Sequence, residues 1–376
     1  MRKHKPQTAD VISGGSFGFT IVADVMQGTK RVLQDVSFTD WTFTGDLDAN
    51  VKTSGTVTLV VQDDFARSYS PRQIGDALSP FGGTVRVYAL VSLGAYEDRI
   101  PIGTFRITDV PSSMDDKLSV HGRELTVGSV VTLTLMDRFY EADVPFMRLE
   151  NPSSLTSAWS ELIRIARLPG TRNVDDAAIP RSVVYARNRL DAVQQLARVL
   201  GGRAYMRADG TVGIVPDDLG DVDVVLNFGQ VDGKIIDVAQ FMSSADIYNA
   251  VFGDFEDANG RPIHAEDMIR SGQLAVTGPF GERPIEYPAD QREFIKTQSA
   301  ADTAVANYLA KVSKGSPLEV PVTLTVDPRL EFDVVTVNRP GAGGEPDPAL
   351  AFTGRVCRWT MTKDQPMQAT VRVPNA

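Results

Sequence analysis

The stretch Leu190–Pro216, LDAVQQLARVLGGRAYMRADGTVGIVP, changes from a helical to a strand period at Gly201-Gly202 and reverses at Asp209-Gly210. Leu190, Val193, Leu196, Ala197 and Leu200 fall on one stripe of an α-helix, which therefore has a single face to bury. Ala204, Tyr205 and Met206 resume as a short apolar strand, Asp-Gly supplies the turn, and Val212, Ile214 and Val215 return along a second strand. The spacing predicts a helix packed on a hairpin. It contains no obvious nucleophile, base or metal ligand, so its role is that of a scaffold.

Outward from this segment, the chain is 376 residues long, enough for two or three domains. Val and Thr recur, Gly and Pro are frequent, and long Leu/Ala/Glu/Lys tracts are scarce, a mixture that favours strands. The net charge of -10 argues against a surface built to grip a phosphate backbone, though nucleic acid could pass an acidic channel without adhering. Arg2, Lys3, His4 and Lys5 read as a ragged, solvated terminus, and the polar residues after Lys5 exclude a signal peptide. No apolar run is long enough for a membrane helix. Cys357, the single cysteine, excludes an internal disulfide framework and reads as a strand residue.

Before residue 150, FTIVADVMQ, KRVLQDVSF, SGTVTLVVQD, GTVRVYALVSL, IPIGTFRITDV, KLSVHGREL and SVVTLTLMD are successive strands of an antiparallel β domain, with residues 62–80 as a polar connection. From Asn151 the texture changes. Ser154 opens a helical tract through AWSELIRIARLPG, stopped by Pro169-Gly170, and the helix and hairpin of 190–216 complete a small α/β region. Strands return in DVVLNF, GKIIDVAQF and DIYNAVFGDFED. Residues 262–290 form an excursion rich in Pro, Gly and charge, and TQSAADTAVANYLAKV is a second helix. LEVPVTLTV, FDVVTV, FTGRVCRWTM and MQATVRV close the chain as strands, with GAGGEPDP as a hairpin loop. The fold expected is mainly β with a smaller α/β part: a β domain over 1–150, an α/β domain over 151–234 and a second β domain over 235–376, the two β domains being the ones to which the resemblance below gives a barrel form.

Catalytic chemistry finds little support. The pairs Asp63-Asp64, Asp115-Asp116 and Asp217-Asp218 could in principle hold a divalent ion or divide acid and base roles, but adjacent residues on a strand point oppositely, and each pair reads as a solvated turn. Asp254, Glu256 and Asp257 lack the alternation and terminal Glu of a calcium loop. Gly14-Gly15 lacks the Lys-Ser/Thr of a phosphate loop and reads as a turn before the first strand. Ser153 and Ser154 are better explained by the start of a helix than by attack on a carbonyl. His4, His121 and His264 have no metal-ligand spacing, and Trp41, Trp159 and Trp359 read as anchors of distinct cores. No catalytic, cofactor-binding or metal-binding residue is assigned, and the chain is not expected to be an enzyme.

Taken in order, VADVMQGTKRVLQDVSFTDWTFTGDLDA, SGTVTLVV, PIGTFRITDV with Gly103 and Phe105, LSVHGREL, the 190–216 unit, IYNAVFGDF, SAADTAVANYLAKV and the closing strands resemble the hub proteins at the tip of bacteriophage tails. The resemblance covers roughly residues 20–373. It is to actinobacteriophage minor tail proteins, which are related to contractile-baseplate hubs and to the structural N-terminal part of siphophage tail-associated proteins. LTLMDRFYEA departs from that pattern, with only Asp137-Arg138 echoing it. The resemblance implies a structural virion protein: a homotrimer whose two related tube-type β-barrel domains per chain present six units to a hexameric tail tube, with the α/β domain on the outside. It implies as partners the tail tube or distal tail protein, the tape-measure protein, peripheral tip or fibre proteins, and DNA in transient passage. It places the chain in the virion tail tip after assembly in the host cytoplasm, with a role in genome ejection. Two other classes compete: a tail-associated cell-wall hydrolase, and a receptor-binding tail protein using the 262–290 region.

Overall fold

The computed structural model describes residues 1–62, 67–148, 150–180, 184–228, 233–238, 247–257, 260–288, 292, 295–313, 318–341 and 347–374. It is mostly β-strand with a smaller helical part, and it divides into two compact units. The first comprises Met1–Ala239 with Pro321–Val371; the second comprises Gln240–Val320 with Arg372–Ala376.

In the first unit, helix α1 (Thr8–Ser13) precedes six antiparallel strands: β1 (Gly18–Gln27), β2 (Lys30–Asp46), β3 (Thr53–Val61), β4 (Gly83–Leu93), β5 (Tyr96–Val120) and β6 (Arg123–Asp137). Their hydrogen-bonded order is β1-β4-β5-β6-β3-β2, and β2 pairs back with β1, so the six form a closed circuit. Alternation explains the inner face: Val57, Leu59 and Val61 on β3 and Val85, Val87, Ala89 and Val91 on β4 are buried, while the residues between them are less so. Phe43 and Phe105 meet at 5.5 Å between ring centroids, and Trp41 flanks Phe43 at 6.1 Å.

KLSVHGREL is two strands where one was expected. His121 (φ 51°) and Gly122 (φ 75°) form a two-residue turn between β5 and β6, a left-handed pair suited to a tight hairpin. The even polar and apolar alternation through the segment conceals that turn.

The α/β part contains α2 (Ala158–Ala166), α3 (Arg189–Val199), β7 (Gly202–Met206) and β8 (Val212–Pro216). Leu162, Ile165, Leu190, Val193, Leu196, Ala204, Met206, Val212 and Ile214 share one buried cluster, the core that the apolar stripe of 190–216 requires. Gln194 fastens helix to hairpin: its side-chain amide donates to the Ala204 carbonyl and accepts from the Ala204 N–H, both at 3.1 Å. The N-cap of α2 is Ser157, whose hydroxyl accepts from Ser160 N–H at 3.0 Å. The helix thus starts later than Ser154 suggests, and Ser153 instead donates to Glu161.

The remaining strands of the first unit are β9 (Val224–Phe228), β10 (Gly233–Val238), β14 (Leu318–Leu324, reaching into the second unit), β15 (Val334–Asn338), β16 (Phe352–Thr362) and β17 (Met367–Val373). They are ordered β16-β15-β9-β10-β14-β17, with β17 pairing back to β16, a second closed circuit. Strand β9, on the N-terminal side of residue 234, stands in this circuit between β15 and β10. Antiparallel pairing of β2 with β16, from Thr42↔Thr362 to Asp46↔Arg358, joins the two circuits into one 12-stranded sheet.

In the second unit, β11 (Ala250–Glu256) lies between β12 (Pro262–Met268) and β13 (Pro284–Glu286), and α4 (Gln298–Val312) covers them. Two of these strands therefore fall within the 262–290 excursion. Val251, Phe255, Ala265, Tyr287, Ala301, Val305 and Leu309 form the core, and Thr297 caps α4 through Ala300 N–H at 3.3 Å.

Candidate functional site

The structure disperses the sequence candidates. Cys357 is fully buried on β16, and Trp41 and Trp359 are core residues; Trp159 packs partly buried against the α/β cluster. Asp217-Asp218 lies in an exposed turn after β8, as its sequence suggests, whereas Asp63-Asp64 lies outside the described residues. Asp254 and Glu256 sit on β11, Asp257 accepts from Arg261 N–H at 2.8 Å, and Asn259 lies outside the described residues. His264 pairs with Asp254 at 2.7 Å, which holds its pKa above the ordinary imidazole value. Gly14 and Gly15 end α1 and lead to β1. Among the described residues, no group of three or more His, Cys, Asp or Glu could hold a metal ion.

Asp115 corrects the turn expected for Asp115-Asp116. It lies on β5, its side chain is only 5% exposed, and its carboxylate accepts from Ser70 at 2.7 Å, from Ser129 at 2.8 Å, from Ser68 at 2.7 and 2.8 Å to its two oxygens, and from Arg72 at 2.8 Å. Burial opposes its charge, but the three hydroxyls and Arg72 outweigh burial and bring the pKa down to about 2. These bonds fasten the chain before β4 to the β5–β6 hairpin. They consume the carboxylate's acceptor capacity structurally and leave no free general base.

The N-terminus is also unlike the solvated tail its sequence suggests. Arg2 is 3% exposed; its N–H donates to the Arg329 carbonyl at 2.9 Å, and its guanidinium donates to the carbonyls of Pro328 (3.0 Å) and Leu330. The same guanidinium lies 4.6 Å over the Trp359 ring and 3.9 Å from Glu331. Burial pushes the Glu331 carboxyl up to about 7, with Arg2 pulling the other way. Nearby in sequence, Asp327 is held ionised by a two-pronged bond from Arg329 (2.9 and 2.7 Å) and by Lys234 at 3.3 Å, which together overcome its burial. Acids and bases in this group face one another, an arrangement that locks distant segments together, although Nε and Nη2 of Arg2 are buried with no hydrogen-bond partner among the described residues. The sequence conceals it because Arg2 stands more than three hundred residues before Pro328, Leu330 and Trp359.

A third buried charge closes the end of the first circuit. Asp137 accepts from Thr53 N–H and Phe139 N–H, each at 2.8 Å, and so caps the 3-10 turn Arg138–Glu141 while holding the start of β3. Burial raises its pKa to about 7 against those donors and Lys52. Lys52 is itself lowered to about 8 by burial and by Arg203, and it donates to the carbonyls of Leu47 (2.8 Å) and Ala49 (2.6 Å). The adjoining cleft, about 630 Å³, is lined by Asp48, Asp191 and Asp217 and by Lys52, Arg198 and Arg203, a balanced set of charges. Arg203 and Asp48 bridge one side of it.

The geometry that does accumulate is architectural: two closed strand circuits joined through β2 and β16, and buried ion pairs where distant segments meet. Solved structures share this architecture. A tail protein from Neisseria meningitidis MC58 aligns over 94% of this chain and 96% of its own, at 11% identity and a TM-score of 0.56. The 43 kDa tail protein of prophage MuSo2 from Shewanella oneidensis aligns over 95% and 98%, at 12% identity and a TM-score of 0.54. The chain has the fold of these tail proteins. A chain of a lidless PdpA–VgrG complex is also similar, over 95% of this chain and 65% of its own length, at 10% identity and a TM-score of 0.51. No family model matches the sequence, and no curated protein matches it.

Proposed function

We propose that this chain is a structural hub of a phage-type tail tip, three copies of which form a ring that adapts a sixfold tail tube to a threefold tip. The observation that carries the reading is the closed circuit present twice in one chain, in a fold shared end to end with two tail proteins. Each circuit is read as a tube-type barrel, so three chains supply six. Residues 151–234 contribute the peripheral α/β part, placed outside the ring where fibre or tip proteins attach, as in the three-part division 1–150, 151–234 and 235–376. The channel passes genome and tape-measure protein, and acidic groups on its wall repel a travelling polyanion. The assembly belongs to the virion and forms in the host cytoplasm. A hydrolase reading lacks a supporting constellation among the described residues. Gold labelling of the chain on assembled particles tests the placement: label confined to the tail tip supports the hub, and label along the tube or free of particles contradicts it.

A further inference from the structure

A pocket of about 390 Å³ opens between the β7–β8 hairpin, the loop from Pro216 to Asp223 that leads to β9, and residues 331–334. Small-molecule sites have volumes of roughly 300–1,000 Å³. Part of the wall is apolar: Val215, Leu219 and Phe332 line it, and Tyr205 meets Phe332 edge to face at 6.1 Å between ring centroids. The rest is acidic, with Asp218, Asp221, Asp223, Glu331 and Asp333 set against Arg355 and the Met1 amine.

Two of these acids are already engaged. Asp223 accepts from Val334 N–H at 2.8 Å, and Asp333 accepts from Glu331 N–H at 2.8 Å and pairs with the Met1 amine. Arg355 is engaged too, donating to the carbonyls of Phe332 (3.2 Å), Asp218 (2.7 Å) and Leu219 (3.2 Å). The other three acids are open. Glu331 is only 7% exposed, yet no hydrogen bond reaches its carboxyl among the described residues; Arg2 Nε, at 3.9 Å, is beyond bonding distance. The Tyr205 hydroxyl in the same pocket also has no hydrogen-bond partner among the described residues. Asp218 and Asp221 are exposed, and their side chains have no partner among the described residues. A buried carboxyl lined up on a cavity without a donor is an acceptor waiting for one, because leaving it unmet costs its full desolvation.

We propose that this pocket binds a linear alkane diamine as its dication. One ammonium enters to the Glu331 carboxylate and the Tyr205 hydroxyl, which supply its acceptors in a charge-assisted bond. The methylene chain lies along Val215, Leu219 and Phe332, and the second ammonium stays in the open part of the pocket with Asp218 and Asp221. The chemistry disfavours other occupants. An anion meets five carboxylates, a neutral ligand leaves the Glu331 charge unanswered, and the described residues contain no three-acid group able to hold a metal ion. The bound dication ties the 216–223 loop to residues 331–334, and so the hairpin to the entry of β15. The inference is independent of the hub reading.

Isothermal titration calorimetry of the full chain with putrescine, at roughly 0.15 M salt to screen loose surface association, tests it. The expected result is one site per chain, with butylamine binding about tenfold or more weakly because it lacks the second ammonium. Glu331→Gln and Tyr205→Phe should each weaken putrescine, the first by about tenfold or more. Asp221→Asn, a change at an exposed position that leaves the core intact, should weaken putrescine and leave butylamine unchanged. Binding requires ionised Glu331, which burial holds up at about 7, so putrescine should bind about tenfold more weakly at about pH 6 than at about pH 8. Arg2, Asp333, Arg207 and the Met1 amine act on this carboxyl, and Tyr205, Asp223 and Arg355 share its pocket; all remain in Glu331→Gln, which should therefore flatten the profile only if Glu331 is the acceptor. No saturable binding, equal affinity for putrescine and butylamine, or putrescine binding that neither Glu331→Gln nor Asp221→Asn weakens overturns the proposal.

Discussion

Replacing Arg2 by alanine tests whether the N-terminal segment is part of the core. A solvated terminal residue would tolerate the change within about 0.5 kcal/mol. The structure demands much more, because Arg2 is a buried charge bonded to the carbonyls of Pro328 and Leu330, facing Glu331, and stacked on Trp359. Removing one partner of a buried ion pair costs about 3–5 kcal/mol, since it strands the other charge and the carbonyls. Protonation of Glu331, whose pKa already stands at about 7, relieves part of that penalty, so a loss near the lower end, about 3 kcal/mol, is expected at neutral pH. Adding Glu331→Gln should recover about 1 kcal/mol or more, as expected for coupled neighbours. Urea unfolding followed by tryptophan fluorescence reads both, with Trp359 directly under the altered site. An Arg2→Ala loss below about 0.5 kcal/mol, with no coupling to Glu331→Gln, would refute the buried-anchor account.

Asp115→Ala should cost about 1–3 kcal/mol by leaving the hydroxyls of Ser68, Ser70 and Ser129 without their acceptor; trypsin cleavage after Arg67 and Arg72 should accelerate, as limited proteolysis would show. Gly45→Ala should destabilise by about 1–3 kcal/mol, because its Cβ would lie 2.2 Å from Nε1 of the buried Trp359 at the joint between the circuits; chemical denaturation measures it. Stability should rise with pH through the acid limb and fall toward neutrality. Asp115 and Glu161, held at about 2, contribute stability that is present above their unfolded values and lost as pH falls toward 2. Asp137 and Glu331, raised to about 7, contribute stability that is complete below about 4 and lost as pH rises to 7. Thermal midpoints across pH should show both limbs, and Asp137→Asn should flatten the second.

Local elements were legible where one residue pattern decides the outcome. The alternation on β3 and β4 marks their buried faces, and the stripe Leu190, Val193, Leu196, Ala197 marks the helix that packs on β7 and β8. Partners distant in sequence decided the rest. Arg2-Lys3-His4-Lys5 looks solvated until residues 327–333 supply carbonyls and a carboxylate to Arg2. Asp115 looks like a turn residue until serines from two other segments converge on it. Ser157 caps α2 in place of Ser154 because Asp176 lies within reach of its hydroxyl at 2.6 Å and holds it at the helix start. The closure of the two circuits is invisible to composition or period, since it resides in which strand pairs with which.

The proposed hub requires that three chains, each with its doubled circuit, close into a threefold ring with sixfold quasi-equivalence. Electron cryo-microscopy of the purified full chain, averaged without imposed symmetry, tests it most directly. The predicted result is a closed ring of three copies with six similar strand circuits around one axial channel. A population of monomers, or a ring built from any other number of copies, would contradict it.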